Sequence, residues 1–154
     1  MVNVIAARKT DAAIALSIAL LPAAAQLLFG DPLYIGAGYY LIVPVTAIII
    51  GVIVRAEPLF LLGTSLAVSV TFLIYVSIIL SFARPEGLLA LGHLFSLPGA
   101  ATGTLIGAFL SRRLRRPISV LALGFAGTLV GFFLNQLVVC NTVMWCGALP
   151  LPIG

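Results

Sequence analysis

Polar residues are sparse in this chain and fall in clusters, and between the clusters lie apolar runs of roughly 20 residues, the length at which a helix crosses a bilayer. Five runs have this form. The first covers residues 12–29 and the second 35–54, with a turn opening on Asp31-Pro32 between them, so the pair predicts a helical hairpin. The third covers 58–82, after the punctuation Arg55-Ala56-Glu57, and Pro58 suits the first turn of a helix. The fourth covers 88–110 and the fifth 118–139, separated by Ser111-Arg112-Arg113-Leu114-Arg115-Arg116-Pro117; a tail, 140–154, follows. Helices are the expected element because a segment in lipid must satisfy its backbone N–H and C=O groups within itself. The pattern therefore predicts an all-α integral membrane protein, a single domain over 1–154 built as a bundle of about five transmembrane helices.

The first run also carries marks of a secretory signal: Arg8-Lys9 precedes a short apolar stretch, and Pro22-Ala23-Ala24-Ala25-Gln26 offers a small-residue cleavage site. Cleavage would leave four helices. Leu27-Leu28-Phe29 prolong the apolar run and the chain turns straight back toward the membrane, which favours an uncleaved helix.

Composition agrees that lipid is the solvent, since hydrophobic residues make up 62% and charged residues 8% of the chain, against roughly 45–50% and about 25% in soluble domains. In a soluble protein the net charge of +4 would point to nucleic acid. Here the charge is topological. Arg8, Lys9, Arg55, Arg112, Arg113, Arg115 and Arg116 fall on one side of a five-span chain, and only Arg84 falls on the other. Basic residues near helix ends mark the cytoplasmic side, so the N-terminus is expected inside and the tail outside. Losing one internal helix would put Arg55 and the Arg112 cluster on opposite faces, which supports five spans.

Few residues carry candidate chemistry. Asp11, Asp31, Glu57 and Glu86 fall at expected helix ends or in loops, so they read as solvated boundary residues, and coupled transport, which uses ionisable groups at membrane depth, is disfavoured. His93, near the outer start of the fourth helix, has no neighbouring Cys, Asp or second His with which to build a zinc site, and reads as an interfacial polar residue. With one histidine and no carboxylate inside a span, a nucleophile has no base to activate it, so no enzyme, metal or cofactor is expected. Ser65, Ser69, Thr71, Ser77 and Ser81 should bond their own helix carbonyls or a neighbouring helix. Asn135 and Gln136, near the outer end of the fifth helix, read first as amides solvated at the interface, with bonding across helices or lining of a shallow outward cavity as the alternative; with His93 they form the candidate polar outer site.

Gly99, Gly103 and Gly107 recur at steps of four and so share one face of the fourth helix, while Gly127 and Gly131 answer on the fifth, and Gly63 and Ala67 on the third. Small residues let helix backbones approach closely where no hydrophobic effect drives association, which serves packing within the monomer or, alternatively, a homo-oligomer. Pro22, Pro44 and Pro98 are candidate kinks. Tyr34, Tyr39, Tyr40 and Trp145 fit an interfacial aromatic belt. The cluster Arg112, Arg113, Arg115 and Arg116 could also contact anionic lipid headgroups. Cys140 and Cys146, on the side expected to be oxidising, are spaced to allow a disulfide within the tail. No glycine-rich phosphate loop or nucleic-acid module is present.

Small size, several spans and the lack of catalytic residues together resemble the small polytopic immunity proteins that bacteria place in the inner membrane against pore-forming or membrane-targeted toxins. The resemblance rests on profile over the whole chain and on no motif. It implies a non-enzymatic inner-membrane protein, embedded in lipid, that protects its producer by binding a cognate toxin, with the outer segments 31–40, 84–93 and 140–154 as contact regions. The alternatives are a passive channel or small-solute transporter, and an accessory subunit of a larger membrane complex.

Overall fold

A computed structural model describes residues 2–30, 36–81 and 88–143, and among them every regular element is an α-helix. The helices are α1 (Val2–Phe29), α2 (Ala37–Ile53), α3 (Phe60–Ser81), α4 (Leu88–Ser111) and α5 (Pro117–Thr142). Four contain stretches long and apolar enough to cross a membrane: Arg8–Phe29, Phe60–Ile78, Leu91–Ser111 and Pro117–Thr142. The protein is a membrane-spanning helical bundle. At 17 residues α2 is shorter, rising about 25 Å at 1.5 Å per residue, the lower end of what spans lipid.

The largest departure from the sequence boundaries is at the start. The expectation of a helix from residue 12 took Arg8, Lys9 and Asp11 as its flank, whereas α1 runs through all three. Pro58 lies two residues ahead of α3 rather than in its first turn. Asp31, Tyr34, Arg84, Glu86, Trp145 and Cys146, with most of the tail, lie outside the described residues.

Among the described residues α3 is the hub, touching all four other helices, while α1 packs only on α2 and α3. Half of the α3 span is buried, against 17% to 33% of the other spans. Polarity is arranged opposite to that of a soluble domain. Leu28, Phe29, Ile42, Ile53, Leu73, Leu80 and Ile106 are exposed, whereas Thr64, Ser65, Thr71, His93, Ser96, Thr104, Thr128 and Gln136 are buried. In lipid an exposed leucine sheds no water on burial, so small and hydrogen-bonding residues go inside.

Glycine sets the closest approach, between α4 and α5. A Cβ at Gly103 would fall on the Gly127 carbonyl oxygen, and one at Gly99 or Gly131 would likewise meet the facing backbone. Gly107 and Gly124 make room for Phe60, which is fully buried at the head of α3. Gly63 brings α3 against Leu121 and Phe125 of α5. The Thr104 and Thr128 hydroxyls meet at 2.9 Å across the α4–α5 seam.

Proline within α1 is compensated from outside. Pro22 has no N–H to offer the Ile18 carbonyl, and the Ser69 hydroxyl of α3 reaches that oxygen at 3.5 Å. The α2–α3 connection is clasped in the same way. Val54, Arg55 and Ala56 close α2 with a Schellman turn, in which the Arg55 N–H donates to the Val52 carbonyl and the Ala56 N–H to the Gly51 carbonyl, each at 3.0 Å. Arg55 holds the left-handed conformation usually left to glycine, with φ 55°. Arg112 donates to the Val54 carbonyl and Arg8 to the Arg55 carbonyl, so two guanidiniums cover the negative end of α2. Asp11 then accepts the Leu61 and Leu62 amides at 3.2 and 3.1 Å, capping α3 from α1. These contacts gather Arg8, Arg55 and the Arg112 segment at one end of the bundle.

Candidate functional site

At mid-depth, four helices close around one imidazole. His93 is fully buried and lies level with Thr71, the twelfth of the 22 residues of α3, not at the bundle's rim. The Thr71 hydroxyl donates to the Val68 carbonyl at 2.8 Å, which leaves its oxygen to accept from His93 Nε2–H at 3.1 Å. His93 Nδ1 is then the bare nitrogen and accepts the Tyr39 hydroxyl proton at 2.8 Å. Two neighbours thus select one tautomer of a neutral ring.

Aromatic rings wall the imidazole in. Phe72 stacks on it at 4.7 Å between centroids, Tyr75 meets it edge-on at 4.9 Å, and Phe132 lies tilted at 5.1 Å. Tyr40 packs against Phe72 at 5.0 Å. The rings come from α2, α3 and α5, so the cage ties three helices to α4.

A second polar node lies beside the first. The Tyr75 hydroxyl donates to Gln136 Oε1 at 2.5 Å, the Ser96 hydroxyl approaches the same oxygen, and the Gln136 amide donates to Cys140 Sγ at 3.2 Å. Gly92 leaves room for this node, since a Cβ there would lie 3.3 Å from the Tyr75 hydroxyl. Asn135, one residue earlier on α5, donates to the Phe95 carbonyl at 2.5 Å, in the turn just ahead of Pro98.

Three readings from the sequence are corrected here. His93 is not interfacial, because its ring nitrogens have partners deep in the bundle. Tyr39 and Tyr40 are not belt residues, since one bonds His93 and the other is buried against Phe72. Asp11 is not a solvated boundary carboxylate: it is 4% exposed and bound to backbone amides. His93 and Gln136 do come together in one region, joined through Tyr75, while Asn135 lies on the adjoining face. Cys140 is buried at the end of α5, and its expected partner Cys146 lies outside the described residues.

Thr71 and Ser81 bond their own helix carbonyls and Ser69 a neighbouring helix. Thr64 Oγ1 and Ser65 Oγ are buried with no partner among the described residues, and nothing in the structure explains them. Also among the described residues, no three His, Cys, Asp or Glu side chains gather as a metal site. The sequence named Tyr39 and Thr71 without their partnership with His93, and Tyr75 and Ser96 were missed. The one available signal was the i, i+3 and i, i+4 spacing of His93 with Ser96 on α4 and of Thr71 with Tyr75 on α3.

Clefts open along the flanks, walled mainly by apolar side chains and glycine. One of about 350 Å³ enters between α2 and α4 beside Ile42, Val43, Ala47, Leu97 and Ala101. Another of about 550 Å³ follows the glycine seam on the outer side of α4 and α5. Fold and site define a polytopic α-helical membrane protein in which the buried polar groups around His93 and Gln136 bond one another. No protein-family model, curated protein or solved structure matches the chain.

Proposed function

We propose that this is a non-enzymatic bacterial inner-membrane protein that protects its producer by binding a membrane-targeted toxin, with the N-terminus cytoplasmic and the C-terminus outside. The supporting observation is how polarity is distributed: His93, Tyr39, Thr71, Tyr75, Ser96 and Gln136 are spent on each other, while the flanking clefts are apolar. A conduit for polar solutes would turn such groups toward its lumen. A rigid bundle with apolar flanks instead suits recognition of another membrane-inserted helix, where close packing supplies the attraction. The basic end supports the orientation, since Arg8, Arg55 and Arg112 meet there.

Deleting the gene in its native host is expected to sensitise cells to a toxin released by sister cells, with loss of membrane potential, and expression in a sensitive strain is expected to restore survival. A reporter active only outside the cytoplasm should work when fused after Gly154 and be silent after Arg116. A solute uptake or leak defect with no toxin phenotype would replace this reading with the transporter one. A single observation favours that second reading, namely an imidazole at mid-depth in the bundle.

A further inference from the structure

The basic end of the bundle carries a feature that the toxin reading does not use. A cleft of about 470 Å³ opens between the start of α1, the α2–α3 connection and the α4–α5 connection, a volume within the roughly 300–1,000 Å³ typical of ligand sites. Ile14, Leu59 and Val120 give it an apolar floor, while Glu57 and Arg115 line it with opposite charges. Neither of these two side chains has a hydrogen-bond or ion-pair partner among the described residues. Two neighbouring charges are committed. Asp11, also on the wall, holds the Leu61 and Leu62 amides, and Arg112 is held by the Val54 carbonyl and the Phe109 ring.

A simple anion fits poorly here, because the carboxylates of Asp11 and Glu57 face a single guanidinium. A simple cation would meet Arg115. The arrangement instead matches a group that carries both signs close together and continues into an apolar tail. We propose that the cleft binds the headgroup of a zwitterionic phospholipid bearing a primary ammonium, with the phosphate on Arg115, the ammonium on Glu57 and the acyl chains running over Ile14 and Val120. A guanidinium pairs two phosphate oxygens at once. A primary ammonium has N–H groups for the carboxylate, which a trimethylammonium lacks.

The test uses the full chain purified in detergent, reading retained lipid by native mass spectrometry and thermal unfolding after adding phosphatidylethanolamine, phosphatidylcholine or phosphatidylglycerol with the same acyl chains, or free phosphoethanolamine. Phosphatidylethanolamine is expected to bind about tenfold more tightly than the other two lipids, the factor that one charge-assisted hydrogen bond commands. Glu57→Gln should erase its advantage over phosphatidylglycerol, and Arg115→Gln should weaken it by a similar factor. Both variants should keep the parent's helicity and lipid-free melting temperature, because neither side chain is bonded to the fold. Equal retention of the three lipids, a preference over phosphatidylglycerol that survives Glu57→Gln, or phosphatidylethanolamine binding left unchanged by Arg115→Gln would overturn the proposal. Equal stabilisation by free phosphoethanolamine would overturn it too, assigning the cleft to a soluble ligand.

Discussion

Three glycine-to-alanine substitutions add the same methyl group in three different surroundings, which lets the close α4–α5 approach be tested against a constant chemical change. In a helix interior alanine is favoured over glycine by about 0.8–1.0 kcal/mol. At Gly38, in the first turn of α2, a Cβ meets nothing within 4 Å among the described residues, so Gly38→Ala should keep part of that gain and incur no steric cost. At Gly127 the nearest atom is the Gly103 carbonyl oxygen at 3.1 Å. A neighbour must yield by a few tenths of an ångström, and gain and cost should roughly cancel. At Gly103 the new carbon lands on the Gly127 carbonyl oxygen, with the Gly131 Cα a further 3.1 Å contact. Backbone cannot rotate away as a side chain can, so α4 and α5 must separate along the seam. Overpacking of this kind costs about 1–3 kcal/mol, which outweighs the helix gain. Unfolding in mixed micelles titrated with a denaturing detergent, followed by circular dichroism, should rank Gly38→Ala at or above the parent, Gly127→Ala near it, and Gly103→Ala lowest, by up to about 2 kcal/mol once the helix gain is subtracted. If Gly103→Ala unfolds with Gly127→Ala, the seam does not hold the backbones at this distance.

The same assay serves the polar contacts. Asp11→Ala should destabilise the protein by about 1–2 kcal/mol, the worth of a lost N-cap, with Asp11→Asn recovering part of it; no loss in the alanine variant would mean that α3 needs no cap from α1. His93→Phe keeps a ring against Phe72 but strands the Tyr39 hydroxyl, at a cost of about 1–3 kcal/mol. Adding Tyr39→Phe removes the stranded partner and should recover much of that loss, whereas two simply additive losses would refute the pairing. For the tail, mass measurement after alkylation of freshly isolated membranes should find Cys140 and Cys146 both blocked by a disulfide; free thiols would count against the bridge and against an external C-terminus. So small a loop contributes only about 2 kcal/mol, so reduction should leave the bundle folded.

Spans were legible in the sequence because the requirement behind them is local. A run such as 118–139 must hide its backbone polar groups from lipid, and only its own helix can do so. Loop charges such as Arg55 and the Arg112 cluster were legible for a related reason, since a charge is costly at membrane depth wherever it occurs. Glycines at steps of four on the fourth helix marked a face for close approach by helical periodicity alone. Which partner filled that face, Gly127 and Gly131 of α5, was a matter of tertiary packing.

Depth and partnership were decided only in three dimensions. His93 is six residues into α4 and reads as interfacial by position, but the bundle sets that turn beside the middle of α3, where Thr71 and Tyr39 from other helices complete its hydrogen bonds. Asp11 looks like a flank residue because it precedes the apolar run, yet the amides it caps lie 50 residues further on. In water, burial follows hydrophobicity, so an amphipathic stripe would reveal which face turns inward. In lipid that link is lost: leucine is as well solvated outside as in, the helices are apolar all round, and the inward face is chosen by small residues and by hydroxyl, amide and imidazole groups whose partners sit on distant parts of the chain.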